Sequence, residues 1–277
     1  MQTPNPTKTS GPDIGYSLPS APVLGVPLAV ATYDQVLAWM ERTVAAGERK
    51  TVSAAAVNLV MSAREAQPVA EAVAKLSLVV PDGQPLVWAL QLLGYRNATR
   101  IYGPELMARF LARAASKRIP QFLYGGRSPQ ALAALERRLL ERYPGLPIAG
   151  SFCPPFRPLS AGEQERVTAL INGSGAKVVW VGIGQPKQEL WMAQFRPLLE
   201  APLLCGVGAA FDFHAGIVRQ APPILGRAGL EWAWRLAHEP RRLWRRYLRQ
   251  NPRFVAAFAG QYIAQRRSGG GLRSQTN

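Results

Sequence analysis

Aspartates are rare in this chain, and two of them follow predicted strands, where they could act as an acid or a base. The full set is Asp13, Asp34, Asp82 and Asp212. The first lies in a polar N-terminal stretch, and the second is placed as a helix N-cap. A carboxylate at a strand end can take a proton from a reacting hydroxyl group, although an Asp before a Gly also forms a simple turn. Asp82 and Asp212 therefore remain candidate site residues.

Glycines gather at the same ends of the predicted strands. After three strands they occur in pairs: Gly125 and Gly126, Gly182 and Gly184, Gly206 and Gly208. Because the carboxyl ends of parallel strands share one edge of a sheet, these residues would line one crevice. Glycine lets backbone amides approach a phosphate closely, and helix N-termini favour an anion. Each glycine alone could serve a turn, but their repetition favours a phosphorylated ligand.

The signatures of metal and cofactor sites are missing from the sequence. No Asp-x-Asp pair is present to hold a divalent ion beside a diphosphate, and the two Cys and two His residues lack zinc spacing. The dinucleotide fingerprint, the Walker A loop and the nucleophile elbow are also absent. We therefore expect a site with no metal and no cofactor, where arginine, lysine and helix N-termini would meet the charge of a leaving diphosphate.

The elements that must position these residues follow an α/β pattern. Short apolar runs alternate with longer amphipathic stretches, which predicts a Rossmann-like, mainly parallel sheet with crossover helices. The predicted strands cover residues 23–30, 50–55, 76–80, 121–124, 147–151, 177–182 and 203–207. Predicted helices include 34–46, capped by Asp34, and 129–143, capped by Ser128.

Charge and composition divide the chain further. It has 277 residues and a net charge of +16, and twelve arginines against two acids lie between residue 219 and the end. We predict a flexible tail over 1–20, an α/β domain over 21–218, a basic helical appendage over 219–265 and a second tail over 266–277. The charge calls for nucleic acid, an anionic membrane or a phosphorylated substrate. With only two cysteines, a disulfide framework is excluded.

The basic appendage has the pattern of a helix at a membrane surface. One predicted face is apolar and consists of Leu243, Trp244, Tyr247 and Leu248. The opposite face consists of Arg241, Arg242, Arg245, Arg246 and Arg249. Prolines 240 and 252 would bracket this short helix, which follows a separate helix over 229–239. An anionic bilayer suits such a helix, although its apolar face could instead pack on the protein. We expect no nucleic-acid partner, since the aromatics are not interleaved with the arginines.

No stretch of the sequence is long and apolar enough to span a membrane, and the N-terminus lacks a signal peptide. These features predict a peripheral protein on the cytoplasmic side. From the residues alone, a nucleic-acid binding protein and a Rossmann-type oxidoreductase remain alternatives of other classes.

Seven blocks, in order, closely resemble the WecG/TagA/CpsF family of bacterial glycosyltransferases. They are 51–54 (TVSA), 81–83 (PDG), 100–103 (RIYG), 122–126 (FLYGG), 182–189 (GIGQPKQE), 206–212 (GVGAAFD) and 229–232 (GLEW). The resemblance implies inverting transfer of a sugar from a UDP-sugar to a polyprenyl-diphosphate-linked saccharide, at the cytoplasmic face of the inner membrane. The family's best-known members transfer N-acetylmannosamine or its uronic acid form, and relatives in exopolysaccharide operons transfer glucose.

The resemblance also implies roles for individual residues. The family's proposed base corresponds to Asp82, with Thr51 and Gln188 as its companions. By position alone, Gln188 could equally be a solvated residue in the first turn of a helix. The family's appendage, which closes over the nucleotide diphosphate, places its arginines at Arg227 and Arg235.

The predicted substrate-binding set also contains Ser53, Arg100 and Gly103, beside the strand-end glycines and Asp212. Two positions depart from the family's pattern: Ser53 replaces an Asn, and Pro85 replaces a Gly. Both are expected near the sugar, so they bear on the identity of the donor.

Overall fold

The structure, a computed structural model, describes residues 17–222, 224–225 and 230–267. These residues form a six-stranded parallel sheet with helices on both faces, preceded by a two-stranded hairpin. The predicted Rossmann-like α/β architecture is therefore confirmed.

The strands agree closely with the predicted ones from residue 50 onward. Those of the described residues are β1 (Ser20–Val23), β2 (Val26–Ala29), β3 (Lys50–Ala55), β4 (Leu78–Pro81), β5 (Gln121–Gly125), β6 (Ile148–Phe152), β7 (Val178–Gly182) and β8 (Leu203–Gly206). The order in the large sheet is β4-β3-β8-β7-β5-β6. The carboxyl ends of β4, β3, β8 and β7 therefore lie side by side.

Helices connect the strands and follow the last one. Within the described residues they are α1 (Tyr33–Ala46), α2 (Val57–Glu65), α3 (Gln67–Ala74), α4 (Gln84–Leu92), α5 (Gly103–Lys117), α6 (Pro129–Arg142), α7 (Ala161–Gly173), α8 (Lys187–Phe195), α9 (Ala210–His214), α10 (Glu231–His238) and α11 (Pro240–Arg267). None of the helices described is long and apolar enough to cross a bilayer.

The central strand β7 shows why the sheet is covered on both faces. Val178 and Trp180 pack with α1, α5 and α6, whereas Val179 and Val181 pack with α7 and α8. All four side chains are fully buried. Such a run of apolar, mostly β-branched residues is typical of a parallel strand between two helix layers.

The first predicted strand, 23–30, is confirmed only in part: the segment contains the end of β1, a turn and β2, and it forms a hairpin separate from the large sheet. The strands β1 and β2 pair antiparallel, from Ser20 opposite Ala29 to Val23 opposite Val26. Between them, Leu24 and Gly25 have φ angles of 50° and 89°. Two successive residues with positive φ match the tight turn whose twist suits a hairpin.

One of the two predicted helix caps is wrong. The N-cap of α1 is Thr32, whose hydroxyl accepts a hydrogen bond from the amide of Gln35, while the Gln35 side chain accepts one from the amide of Thr32. Asp34 lies inside the first turn, since this reciprocal capping box starts the helix two residues earlier. The predicted cap of α6 is confirmed: Ser128 accepts a hydrogen bond from the amide of Ala131.

The predicted break at Pro252 is also wrong, because α11 continues through this residue. A proline inside a helix removes one backbone hydrogen bond. Beyond it, however, Phe254 and Phe258 are buried in the hydrophobic cluster that contains the hairpin, α2 and α4. Packing of the second half of the helix therefore outweighs the local tendency to end it.

The outer parts of the predicted tails, residues 1–16 and 268–277, lie outside the described residues. The same is true of residue 229, where the predicted helix before α11 begins. The described helix there, α10, starts at Glu231.

Candidate active site

A pocket of about 160 Å³ opens over the carboxyl ends of β4, β3, β8 and β7. Each of these strands, or the loop after it, contributes to the lining. The residues are Ala54 in β3, Ala56, Val57 and Asn58 after β3, Asp82, Gly83, Gln84 and Pro85 after β4, Gly184 and Gln185 after β7, and Val207, Gly208 and Ala209 after β8. This is the edge at which the sequence predicts a ligand site.

Asp82 lies in this pocket, and its carboxylate is held by the N-terminus of α5. Its Oδ1 accepts a hydrogen bond of 3.0 Å from the amide of Gly103, the first residue of α5. Its own amide donates to the carbonyl of Ala55. The positive end of a helix stabilises negative charge beside it, so α5 favours a carboxylate at this position.

Arg100 and two tyrosines surround Asp82. The Nε of Arg100 donates to the carbonyl oxygen of Asp82 at 2.5 Å, and its guanidinium lies over the ring of Tyr102. The hydroxyl of Tyr33 accepts from the amide of Tyr102, 2.8 Å away. Burial, reinforced by the negative charge of Asp82, raises the pKa of Tyr33 to about 12. Tyr33 is therefore neutral at physiological pH, and no sequence pattern marked it as a neighbour of the site.

Amide side chains supply much of the remaining polar surface. The Nε2 of Gln185 donates to the carbonyl of Ala54, and its Oε1 accepts from the amide of Ala56. Asn58 donates to the carbonyl of Gln185. Asn58 was missed because β3 ends in two alanines and is followed by a third, with no glycine or acid to mark the strand end. Gln185 lies within the block 182–189, but no role was predicted for it. A polar side chain in the first turn after a strand is the signal that would have found Asn58.

The C-terminal helices close one side of the pocket. Trp232 of α10, together with Gln250 and Asn251 of α11, lines it. The Oε1 of Gln250 is buried without a hydrogen-bond partner among the described residues. A buried acceptor of this kind is costly unless a ligand or water satisfies it. The structure describes the side chain of neither predicted arginine: Arg227 is not among the described residues, and of Arg235 only the backbone is described.

Gln188 is neither solvated nor part of the pocket lining. It is fully buried, and its Oε1 accepts a hydrogen bond of 2.9 Å from the amide of Gly208. Its Nε2 donates to Glu189, and the Ser53 hydroxyl donates to the same carboxylate oxygen, at 2.8 and 2.5 Å. Burial raises the pKa of Glu189 to about 7, although these two hydrogen bonds oppose the shift. Gln188 therefore acts on the pocket indirectly, by holding the loop after β8.

Thr51 and Ser53 do not reach the pocket. Thr51 is buried near the start of β3, where its hydroxyl accepts from the amide of Ser77. Ser53 is turned into the buried cluster with Glu189. The residues of this segment that line the pocket are Ala54 and Ala56. Of the two departures from the family pattern, only Pro85 lies at the pocket.

The predicted glycines divide into two groups. Gly184 and Gly208 line the pocket and have φ angles of 82° and 57°, which only glycine adopts readily. The others approach protein atoms: a Cβ on Gly125, Gly182 or Gly206 would collide with a neighbouring strand or side chain. Those glycines, like Gly126 beside Leu132, serve packing.

Asp212 lies beside the pocket in an ion-pair cluster that joins the α/β sheet to the C-terminal helices. Arg127, which follows Gly126, contacts the Oδ2 of Asp212 at 2.9 Å and the Oε1 of Glu239 at 2.8 Å. Glu239 stands between α10 and α11. Burial opposes the charge of Arg127, but its hydrogen bonds with both acids raise the pKa of the guanidinium. We call these three residues the clasp.

Among the described residues, the acidic side chains near the pocket are not grouped as ligands of a metal ion. The described residues contain no group of three or more His, Cys, Asp or Glu side chains placed to hold a metal ion. Asp82 is held by an amide, and Asp212 is paired with Arg127.

A comparison with protein families agrees with this geometry. The model of the Glycosyl transferase WecG/TagA/CpsF family matches residues 21–268, which is most of the chain. The matched region contains the pocket, Asp82 and the clasp. The protein therefore belongs to the WecG/TagA/CpsF family of glycosyltransferases.

Proposed function

We propose that this glycosyltransferase moves a hexose or N-acetylhexosamine, of the glucose or N-acetylmannosamine type, from a UDP-sugar to a polyprenyl-diphosphate-linked saccharide. The product would serve cell-surface polysaccharide or exopolysaccharide synthesis. The observation that carries the proposal is the Asp82 carboxylate, fixed by the N-terminus of α5 in a pocket over four strand ends.

The proposed reaction is an in-line displacement that inverts the anomeric carbon. Asp82 takes the proton of the acceptor hydroxyl as that oxygen attacks the anomeric carbon. The bond from this carbon to the UDP oxygen breaks, and UDP leaves with the electron pair. Asp82 then returns its proton to solvent. Its position supports this role because the Gly103 amide engages one carboxylate oxygen at 3.0 Å.

The charge of the leaving diphosphate is proposed to be met by the protein. Arg100 lines the pocket, and the loops at Gly184 and Gly208 bring backbone close to it. Arg227 and Arg235 are proposed as further partners from the sequence resemblance. The amide side chains of Asn58, Gln185 and Gln250 can donate to and accept from sugar hydroxyls.

The proposed location is the cytoplasmic face of the inner membrane. Exposed Trp244 and Leu248, with exposed Arg241 and Arg249, support binding of α11 to an anionic surface. The donor is addressed by product analysis with a panel of UDP-hexoses and UDP-N-acetylhexosamines. Pro85, which lies in the pocket, leads us to expect that N-acetylmannosamine is not the preferred sugar.

The decisive test replaces Asp82 by Asn, which keeps the size of the side chain and an oxygen for the Gly103 amide. We expect turnover to fall about 10²- to 10⁴-fold, the usual contribution of a general base. Transfer from UDP-sugar to a synthetic polyprenyl-diphosphate saccharide measures it. Asp34→Asn, on the exposed first turn of α1, should keep wild-type activity. A folded Asp82→Asn protein with normal turnover would remove Asp82 from this role.

A further inference from the structure

Helix α4 carries a row of exposed apolar residues that begins at the pocket. Gln84 and Pro85, in its first turn, line the pocket. Trp88 and Leu92 follow Gln84 at intervals of four residues, so they lie on the same face of the helix. They are 46% and 54% exposed, and Tyr95, just beyond the helix, is 41% exposed. The opposite face of α4 is buried in the core.

A second exposed row lies on α11 and passes the pocket. Trp244, Leu248 and Val255 are separated by four and seven residues, which places them on one face of the helix. Leu248 and Val255 are among the most exposed large apolar residues, at 62% and 65%. Asn251 lies on the same face, between them, and it lines the pocket. The row on α11 therefore flanks the pocket, as the row on α4 leads away from it.

Both apolar rows border the same pocket, so they form a group rather than single apolar residues scattered over the surface. Large apolar side chains that remain exposed as a group mark a surface that contacts another phase or molecule. Tryptophan and tyrosine are the side chains that favour the membrane–water interface. Exposed arginines accompany both rows, Arg96 after Tyr95 and Arg249 after Leu248. Positive charge beside apolar side chains suits the headgroups of an anionic bilayer.

We propose that the row on α4, formed by Trp88, Leu92 and Tyr95, is a second membrane contact, which together with α11 seats the pocket opening on the surface of an anionic bilayer. The inference rests on the proposed function for its purpose: an acceptor whose diphosphate lies at the bilayer surface would meet Asp82 without leaving the membrane. Two separated contacts also fix the orientation of the protein, which one amphipathic helix would leave free to rotate.

The test compares the double variant Trp88→Ser and Leu92→Ser with wild type and with Leu170→Ser. Leu170, on α7, is exposed to the same degree as Trp88 and lies on a helix that does not border the pocket. Binding of the full chain to vesicles of phosphatidylcholine and phosphatidylglycerol is measured by flotation. We expect the double variant to bind about tenfold more weakly, because two half-exposed apolar side chains lose their lipid contact. Leu170→Ser should bind like wild type.

A second measurement locates the contact without weakening it. In vesicles that contain brominated lipid, Trp88→Phe should show less quenching of its tryptophan fluorescence than wild type at equal binding. Equal vesicle binding of the folded double variant and wild type would overturn the proposal. So would loss of a dimer in sedimentation with unchanged flotation, which would assign the row to a second copy of the chain.

The proposed function is tested separately, with a water-soluble acceptor that carries a short lipid chain. The double variant should transfer sugar to this acceptor at the wild-type rate. If wild type itself transfers no sugar, the proposed function fails, while the flotation result still decides whether α4 contacts lipid.

Discussion

The buried carboxyl group of Glu189 lies close to the pocket but does not line it, and its hydrogen bonds hold a residue that supports the pocket wall. Glu189 accepts hydrogen bonds from Ser53 and Gln188, and Gln188 in turn holds the amide of Gly208 at the pocket wall. The second oxygen of Glu189 is buried without a hydrogen-bond partner among the described residues. An ionised group in this position is costly, which explains why burial raises the pKa of Glu189.

This raised pKa predicts a dependence of stability on pH. The folded protein holds its proton on Glu189 up to a pH of about 7, whereas the unfolded chain releases it near pH 4.5, the ordinary pKa of a glutamate. Stability from this group is therefore complete below about pH 4.5 and is lost as the pH rises to about 7, by about 3 kcal/mol in the free energy of unfolding. Glu189→Gln should flatten this slope, as measured by urea unfolding between pH 4.5 and 8.

The matched control is Glu200→Gln, at an exposed carboxyl, which should leave the slope unchanged. A Glu189→Gln protein with the same pH slope as wild type would show that Glu189 is ionised in the fold.

At the scale of elements, the last two helices, α10 and α11, form part of the pocket wall. Their residues Trp232, Gln250 and Asn251 line the pocket. Phe254 and Phe258 anchor the far half of α11 in the core. The near end is held by the clasp, through Arg127 and Glu239.

Breaking the clasp should loosen α10 and weaken donor binding. In Glu239→Gln, Arg127 keeps Asp212 but loses one charged partner, which costs about 1–2 kcal/mol for a partly buried pair. We expect amide hydrogen exchange in α10 to become about tenfold faster. The KM for the UDP-sugar should rise more than kcat falls, because the pocket wall moves while Asp82 stays in place.

The control for this variant is Glu65→Gln, which breaks the exposed pair of Glu65 with Arg253 at 2.6 Å. Exposed pairs contribute little, so exchange and KM should stay near wild type. If both variants behave alike, the clasp has no special part in holding the pocket wall.

At the scale of the whole molecule, basic residues outnumber acids about two to one. The chain has 33 basic residues against 17 acids, and only four of the acids are aspartates. Of the two aspartates near the pocket, Asp82 accepts a hydrogen bond from an amide and Asp212 pairs with Arg127.

We therefore expect sugar transfer to persist after removal of divalent metal. Enzyme treated with EDTA should keep its rate within about twofold of the untreated protein, since arginines and helix N-termini supply the positive charge. The rate of UDP release in EDTA, with and without added Mg²⁺, measures this. Activity that disappears in EDTA and returns with Mg²⁺ would contradict the expectation.

The sequence by itself determined the α/β class, nearly every strand of the large sheet and the position of Asp82. These depend on local patterns: buried strands are continuous apolar runs, and the residues that follow them must meet at one edge. The same local rules found a strand within 23–30 but not its pairing in a hairpin, and they failed at Pro252, where burial of Phe254 decided the outcome.

Only the tertiary structure decided which of the predicted site residues line the pocket. Gly184 and Gly208 do so, whereas Gly182 and Gly206, which end β7 and β8, serve packing, although each pair lies only two residues apart. In the tertiary structure, Ser53 and Gln188 point inward and donate hydrogen bonds to Glu189. Asn251, which is distant from Asp82 in the sequence, lines the same pocket. A side chain's direction and its distant neighbours depend on how the layers pack, which no local pattern records.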